Sequence, residues 1–130
     1  METKVVVDFA DAISHADVDR ICSLMTDDHL FIDSQDNRME GKEMMKIAWI
    51  AYFGLFPDYK IEIEELYEND ASICILGYAS GTYKSLQNMS NSNHWRVPAA
   101  WKAVIKDNLV QHWQVYTDNR IVVEIINRNK

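Results

Sequence analysis

The apolar residues of this chain change their spacing at Pro57-Asp58. Before this dipeptide they recur every three or four positions, which places them on one face of a helix. After it they alternate with polar residues or form long β-branched runs, as strands do. Helices that come first in a chain and strands that follow build separate layers, so the pattern predicts an α+β domain. In this arrangement helices pack on one side of a strongly curved mixed or antiparallel sheet.

The N-terminal part of the chain is expected to contain three helices. The first covers Lys4 to Ser14, and a shorter one follows the N-cap residue Asp17. The third runs from Gly41 to Phe56 and is apolar around much of its circumference, so it is expected to lie between two layers. His29 to Ser34 reads as a short strand that leads into a polar loop from Gln35 to Glu40.

The part that follows Pro57-Asp58 is expected to form two antiparallel hairpins. Gly77 and Gly81 lie inside the second strand, where glycines mark bends of a curved sheet. The segment from Arg120 to Asn127 is either an edge strand or a last helical turn, and its sequence leaves both open. The four predicted strands are Tyr59 to Leu66, Ala71 to Tyr83, Trp95 to Ile105 and Leu109 to Thr117.

Length and charge limit what the chain can be. With 130 residues it has room for one core, so residues 1–130 are expected to form a single domain. The formal net charge is −7 and there is no basic cluster, which argues against nucleic acid as a partner. No apolar stretch approaches the ~20 residues that cross a bilayer, so no membrane association is expected.

Two further features indicate the cytoplasm. Met1 to Ala16 contains Asp8 and Asp11 among its apolar residues, unlike a secretory signal. Cys22 and Cys74 are isolated thiols without a zinc-binding spacing, and buried reduced cysteines are the simplest interpretation. We expect no metal and no cofactor.

Several motifs, in this order and spacing, resemble the nuclear transport factor two-like (NTF2-like) superfamily and within it the SnoaL-like branch. The resemblance covers nearly the whole chain. It implies a cone in which a curved sheet wraps around three helices, with a pocket at the open end and often a dimer. The motifs are Phe9-Ala-Asp-Ala-Ile-Ser-His-Ala-Asp17, Leu24-Met-Thr-Asp-Asp-His-Leu-Phe-Ile-Asp33, Gly41 before the third helix, and Trp113-Gln-Val-Tyr-Thr-Asp118.

Two branches of the superfamily imply positions for catalytic residues. In ketosteroid isomerases a carboxylate at the end of the first strand is the general base, and Asp33 falls on that position. The two donors of their oxyanion hole fall on Phe9 and near Ala100, which cannot donate, so steroid isomerisation is not expected. Limonene epoxide hydrolases end the last long strand in a catalytic aspartate, which falls on Asp118. Their Arg-x-Asp pair has no counterpart between Cys74 and Tyr83.

A row of polar residues on the last long strand suggests a pocket. If residues 110–118 form a strand, then His112, Gln114, Tyr116 and Asp118 share one face. We expect these residues to converge with Asp33 and Ala100 on a pocket. A carboxylate in apolar surroundings could move a proton near neutral pH. The expected walls of the pocket are Phe9, Trp49, Tyr52 and Phe53.

Structural roles compete with these functional ones. An aspartate at a strand end, such as Asp33 or Asp118, commonly accepts hydrogen bonds in a turn. Trp95 and Trp101 share the parity opposite to Ala100, so we expect them on the outer face of the sheet, at a homodimer interface. The polar run from Ser85 to His94 is either a lid over the pocket or a solvated loop.

Three hypotheses about function remain open. The first is cofactor-independent acid-base catalysis, of the isomerase, cyclase or lyase type, on a small apolar cyclic or carbonyl compound. Here Asp118 and Asp33 would be the catalytic carboxylates, and Tyr116 and His112 would orient the substrate. The second is a module that binds a ligand or a protein without turnover. The third is an assembly domain whose pocket is filled by its own side chains, such as Tyr52 or Trp49.

Overall fold

The computed structural model of the protein describes residues 2–84 and 91–130. Along these residues helices and strands follow each other largely as the sequence predicts. In chain order the elements are α1 (Glu2–Ser14), α2 (Val18–Ser23), β1 (Met25–Ile32), β2 (Arg38–Glu40), α3 (Lys42–Leu55), β3 (Lys60–Glu68), β4 (Ile73–Thr82), β5 (His94–Lys106), β6 (Leu109–Thr117) and α4 (Arg120–Arg128).

The strands form one curved sheet in the order β2-β1-β6-β5-β4-β3. Neighbouring strands are antiparallel except for β1 and β6, which are parallel. The sheet is therefore mixed, and it is not closed, since β2 and β3 form its two edges. Helices α1 and α3 contact its inner face. The expected α+β class and the curved sheet are confirmed.

Two elements differ from the sequence expectation, and a third decides between the two alternatives that the sequence left open. Strand β1 begins at Met25, four residues before His29, because Met25 pairs with Val110 of β6. Residues 38–40 form a short strand instead of a loop, since they pair with the end of β1. The C-terminal segment is a helix and not an edge strand. Its apolar residues come together only at helical spacing, with Ile125 buried and Val122 packed beside it.

The face of the sheet that points inward is the one that carries the large apolar side chains. Trp95 is 5% exposed and Trp101 is 1% exposed, and both pack in the core with Val97 and Trp113. The prediction that Trp95 and Trp101 lie on the outer face is therefore wrong. Strand alternation separates two faces but does not say which one the helices cover. Burial of the larger apolar area decides that. The argument for a dimer from these tryptophans no longer holds.

The predicted lid or loop from Ser85 to His94 lies largely outside the described residues. Of its described part, Asn91–Asn93 form one 3₁₀ turn and His94 begins β5. None of the described helices is both long and apolar enough to cross a bilayer.

Candidate ligand cavity

An apolar cavity of about 360 Å³ lies between α3, the inner face of the sheet and α4. This volume is in the range of small-molecule pockets. Most of its wall is aliphatic or aromatic, and the polar residues belong to the segment after β1 and to the end of β6. The lining residues are Phe31, Asp33, Ser34, Gln35, Met45, Ala48, Trp49, Tyr52, Leu55, Phe56, Tyr59, Ala79, Trp95, Val97, Trp101, Trp113, Val115, Thr117, Asn119, Val122, Val123 and Ile126.

Four aromatic residues form a continuous chain of contacts along the cavity wall. The ring centroids of Trp49 and Tyr52 are 5.9 Å apart, and those of Tyr52 and Tyr59 are 5.0 Å apart. Tyr59 in turn lies 6.1 Å from Trp95. Burial raises the pKa of both tyrosine hydroxyls, that of Tyr52 well above its usual value, so both stay protonated. We call Trp49, Tyr52, Tyr59 and Trp95 the aromatic row.

The polar groups of the aromatic row lack protein partners. The indole nitrogens of Trp49 and Trp95 are buried and have no hydrogen-bond partner within residues 2–84 and 91–130. No hydrogen bond from the hydroxyls of Tyr52 or Tyr59 forms to these residues either. Native proteins leave few buried polar groups unpaired, so the two indole nitrogens call for an explanation.

Gly81 makes room for the indole of Trp95 on the inner face. The two residues are directly paired across β4 and β5. A Cβ at position 81 would lie 3.2 Å from Cζ2 of the Trp95 ring, which is tighter than most real contacts. The absence of a side chain at this position lets the indole lie close over β4.

Asp33 lies at the cavity, as the sequence predicts, and a turn fixes its position. Its Oδ1 accepts hydrogen bonds from the backbone N–H groups of Gln35 and Asn37, each at 2.9 Å. Its Oδ2 accepts a hydrogen bond from Nδ2 of Asn37 at 3.0 Å. These are the bonds of an aspartate that organises a turn. Among the described residues that line the cavity, Asp33 is the one carboxylate, and none is Lys, Arg or His.

Asp118 does not reach the cavity. It is exposed, and its Oδ1 accepts a hydrogen bond at 2.9 Å from the backbone N–H of Arg120, in the first turn of α4. The predicted convergence of Asp33 and Asp118 on one pocket is therefore wrong. Asp118 follows the parity of the outer face, and the residues that reach the cavity from this end are Thr117 and Asn119.

The polar row of β6 also lies on the outer face. Tyr116 is 52% exposed, and His112 and Gln114 contact each other through a hydrogen bond of 3.1 Å. Ala100 lies with Pro98 and Tyr116 along a shallow groove on that face. The prediction that these residues line the pocket is wrong. The reason is the same as for the tryptophans. Alternation separates two faces of the strand, and the polar face is the one that remains in contact with water.

The four residues predicted as walls divide into two pairs. Trp49 and Tyr52 line the cavity. Phe53 does not, but its ring stacks on Trp49 with centroids 5.3 Å apart. Phe9 is fully buried in the core, where its ring meets the edge of Trp113 at 4.9 Å. Phe53 and Phe9 therefore pack against residues that line the cavity and do not line it themselves.

Sequence reasoning missed most of the wall. Trp95, Val97 and Val115 carry a signal that could have found them, since they are the apolar members of alternating strands. The contribution of α4 follows from its spacing of Val122, Val123 and Ile126, which reads as one helix face once a helix is assumed. Within the described parts of the chain no cluster of three His, Cys, Asp or Glu side chains could hold a metal ion.

Comparison with known proteins gives one family. A model of the SnoaL-like domain matches residues 6–124 of the chain. The sequence matches no curated protein.

Solved structures are similar in fold but distant in sequence. A protein from Catenulispora acidiphila with a ketosteroid isomerase-like fold, solved with trimethylamine, has a TM-score of 0.80 at 16% identity, over 92% of this chain and 89% of that one. A candidate SnoaL-like polyketide cyclase from Shewanella denitrificans has a TM-score of 0.83 at 11% identity, over 98% and 97%. An LEH-like epoxide hydrolase from M. tuberculosis has a TM-score of 0.79 at 13% identity, over 98% and 90%. At these identities the likeness shows the fold alone.

Proposed function

The chain belongs to the SnoaL-like domain family, and on that premise we propose that it binds a small, largely apolar molecule in the cavity between α3, α4 and the sheet. One observation carries this proposal. The inner face of the sheet and α3 leave about 360 Å³ open instead of filling it with side chains. A protein interior is normally packed to the density of a crystal, so a space of this size needs an occupant or a purpose.

The third hypothesis from the sequence, a pocket filled by the chain's own side chains, has less support. Tyr52 and Trp49 were the residues expected to fill it. Both lie in the wall and pack against Phe53 and Phe56, outside the open volume.

Blocking the cavity tests the binding proposal. Ala48 lines the cavity from α3, whereas Ala51 on the same helix is exposed and does not line it. Ala48→Phe should weaken binding of the bicyclic hydrocarbon indane strongly, and Ala51→Phe should leave it unchanged. Binding is measured by NMR titration, with the indole N–H signals as reporters. Equal binding to both variants, or no binding of indane to the unmodified protein, would contradict the proposal.

Acid-base catalysis is a second candidate, favoured by the position of Asp33 at the cavity. We propose Asp33 as its general base, and Asp118 has no place in this reaction because it lies outside the cavity. The ketone 1-indanone offers a suitable proton on the carbon next to its carbonyl. Asp33 would take that proton, and the carbon would regain one from solvent, so in D₂O deuterium would enter the ketone.

The variant Asp33→Asn separates catalysis from binding. If Asp33 is a base, the variant loses deuterium incorporation while 1-indanone still binds. If the bound ketone gains no deuterium beyond the rate in buffer alone, catalysis is excluded. The hypothesis of a binding module without turnover then remains.

The homodimer remains a proposal, and it rests on the family resemblance. The outer face carries the exposed Tyr116 beside a shallow groove, which is where a second copy could contact this chain. Sedimentation at micromolar concentration tests it, and a monomer there would refute it. A cytoplasmic location is likewise our proposal, and cell fractionation tests it.

A further inference from the structure

Helix α4 borders the cavity with much of its apolar face. Val122, Val123 and Ile126 line the open volume, and Ile125 is the buried residue of this helix, with 3% of its surface exposed. Side chains that border an open volume lack neighbours on that side, so they lose the dispersion contacts that a packed interface provides. The apolar face of α4 therefore holds the helix on the rest of the protein less firmly than a filled interface would.

Side-chain hydrogen bonds attach the end of α4 to the start of β5. Nδ2 of Asn129 donates to Oδ1 of Asn93 at 3.1 Å, and Nη2 of Arg128 donates to the same oxygen at 3.5 Å and to the carbonyl oxygen of Ser92. Asn93 is itself fixed, because its Nδ2 donates to the carbonyl oxygen of Tyr83 at 3.2 Å. We call Asn93, Arg128 and Asn129 the latch. Each hydrogen bond of this kind has a small net free energy, so the latch can open.

The other helical wall of the cavity, α3, is attached more firmly. At its start the backbone N–H of Gly41 donates to the carbonyl oxygen of His29 at 2.8 Å. At its end the carbonyl oxygen of Leu55 accepts from the backbone N–H of Lys84 at 2.8 Å. Within residues 2–84 and 91–130, no backbone hydrogen bond joins α4 to another helix or strand. Of the two helical walls, α4 is therefore the one that can move at the lower cost.

Resting on the proposed binding function, we infer that α4 is a movable lid of the cavity, which turns about Asp118 and Asn119 and is held closed by the latch. These two residues connect β6 to α4 and are where the backbone can change direction. A ligand enters and leaves while the latch is open. A ligand in the cavity gives the apolar face of α4 new contacts, so it favours the closed position. The latch then controls the rates of binding and release.

The rate constants of indane binding test this inference, and line-shape analysis of the NMR titration measures them. Asn129→Ala and Arg128→Ala each weaken the latch from a different side chain. Each should raise the association and the dissociation rate constant by about two- to tenfold, the factor that corresponds to one hydrogen bond. The Kd should stay within about twofold, because the closed position loses the same hydrogen bond with and without indane.

A control variant and a second measurement separate lid movement from a general loss of structure. Asn69→Ala removes an acceptor in the turn between β3 and β4 and should change neither rate constant. Methyl relaxation dispersion detects exchange between two positions on the microsecond to millisecond timescale. The methyl groups of Val122 and Val123 should show such exchange, which Arg128→Ala increases and saturation with indane suppresses. Those of Val110, fully buried in β6, should show none.

The outcomes distinguish this inference from the proposed function. If a latch variant raises the dissociation rate constant alone and weakens affinity to match, α4 is a fixed wall and the inference is wrong. Unchanged rate constants in both latch variants would overturn it as well. If indane fails to bind the unmodified protein, the proposed function fails. Methyl exchange in the protein without indane then still decides whether α4 moves, and its absence overturns the lid.

Discussion

A Cβ atom at position 77 would lie 1.8 Å from the carbonyl oxygen of Glu62 on the neighbouring strand. Real Cβ atoms never approach an oxygen so closely, so β3 and β4 can pair here only because residue 77 is glycine. The register of the two strands shifts between Ile63 and Glu65, next to this contact. A bulge of this kind bends the strand and increases the local twist of the sheet.

Gly77→Ala should therefore destabilise the protein by at least about 2 kcal/mol, because backbone atoms and not a flexible side chain must move. Gly54→Ala is the matched control. Gly54 lies in α3 with no atom within 4 Å of an added Cβ, so alanine should stabilise the helix by roughly 0.5–1 kcal/mol. Urea unfolding measures both. Similar effects of the two substitutions would show that the strands tolerate a wider spacing.

His29 should make folding stability depend on pH. It is buried, and its Nδ1 donates a hydrogen bond to the carbonyl oxygen of Val110 at 2.7 Å, while Nε2 has no partner in the described residues. Burial lowers the pKa of His29 below its usual value near 6.5. As the pH falls, the unfolded chain therefore binds a proton at His29 before the folded chain does. Stability is complete above pH 6.5 and declines as pH falls through 6.5 toward the folded-state pKa.

The variant His29→Gln should lose this part of the pH dependence, and His15→Gln should retain it. His15 is an exposed histidine at the end of α1. Denaturant unfolding at several pH values between 5 and 8 provides the comparison. The same slope in His29→Gln as in the unmodified protein would assign the pH dependence to other groups.

Thr82, at the end of β4, forms hydrogen bonds with the turn after α3 and with the start of β5. Its backbone N–H and its hydroxyl donate to the two carboxylate oxygens of Asp58, each at 2.7 Å. Nδ1 of His94 lies 2.8 Å from the same hydroxyl oxygen and donates to it. Thr82→Val should destabilise the protein by about 1–2 kcal/mol, because the hydroxyl's two hydrogen bonds are lost. Thr82→Ser should restore most of this loss, and its failure to do so would point to methyl packing instead. Thermal unfolding of the three proteins decides.

Asp118 should stabilise the start of α4 and take no part in catalysis. Asp118→Ala removes the acceptor of the Arg120 N–H and should cost about 1 kcal/mol of stability, the net contribution of one such hydrogen bond. Asp118→Asn keeps an acceptor oxygen and should change little. Val122 and Ile126 of α4 line the cavity, so Asp118→Ala should also weaken the binding of indane. NMR titration measures this effect. Loss of deuterium exchange in Asp118→Asn with unchanged binding would restore a catalytic role for this residue.

The order of elements was readable from the sequence because it depends on local spacing. The period of three and four residues marked α1, α2 and α3, and alternation marked β3 to β6 within a few residues. Asp33 at the end of β1 and the pair Trp49 and Tyr52 on α3 were correctly placed at the cavity. Each of these positions follows from where one element ends or which face of one helix is apolar.

The identity of the inner face was not readable, since it depends on how separate elements pack. Alternation in β5 and β6 defines two faces, and only the packing of α1 and α3 on one of them buried Trp95, Trp101 and Trp113 and left Tyr116 and Asp118 in water. Trp49 and Trp95 come from a helix and a strand, and only the folded protein places both at one cavity. Residues close in the chain are enough to set the elements and their order. Which side chains form the cavity depends on the packing of distant elements, because burial of the largest apolar area is a property of the whole molecule.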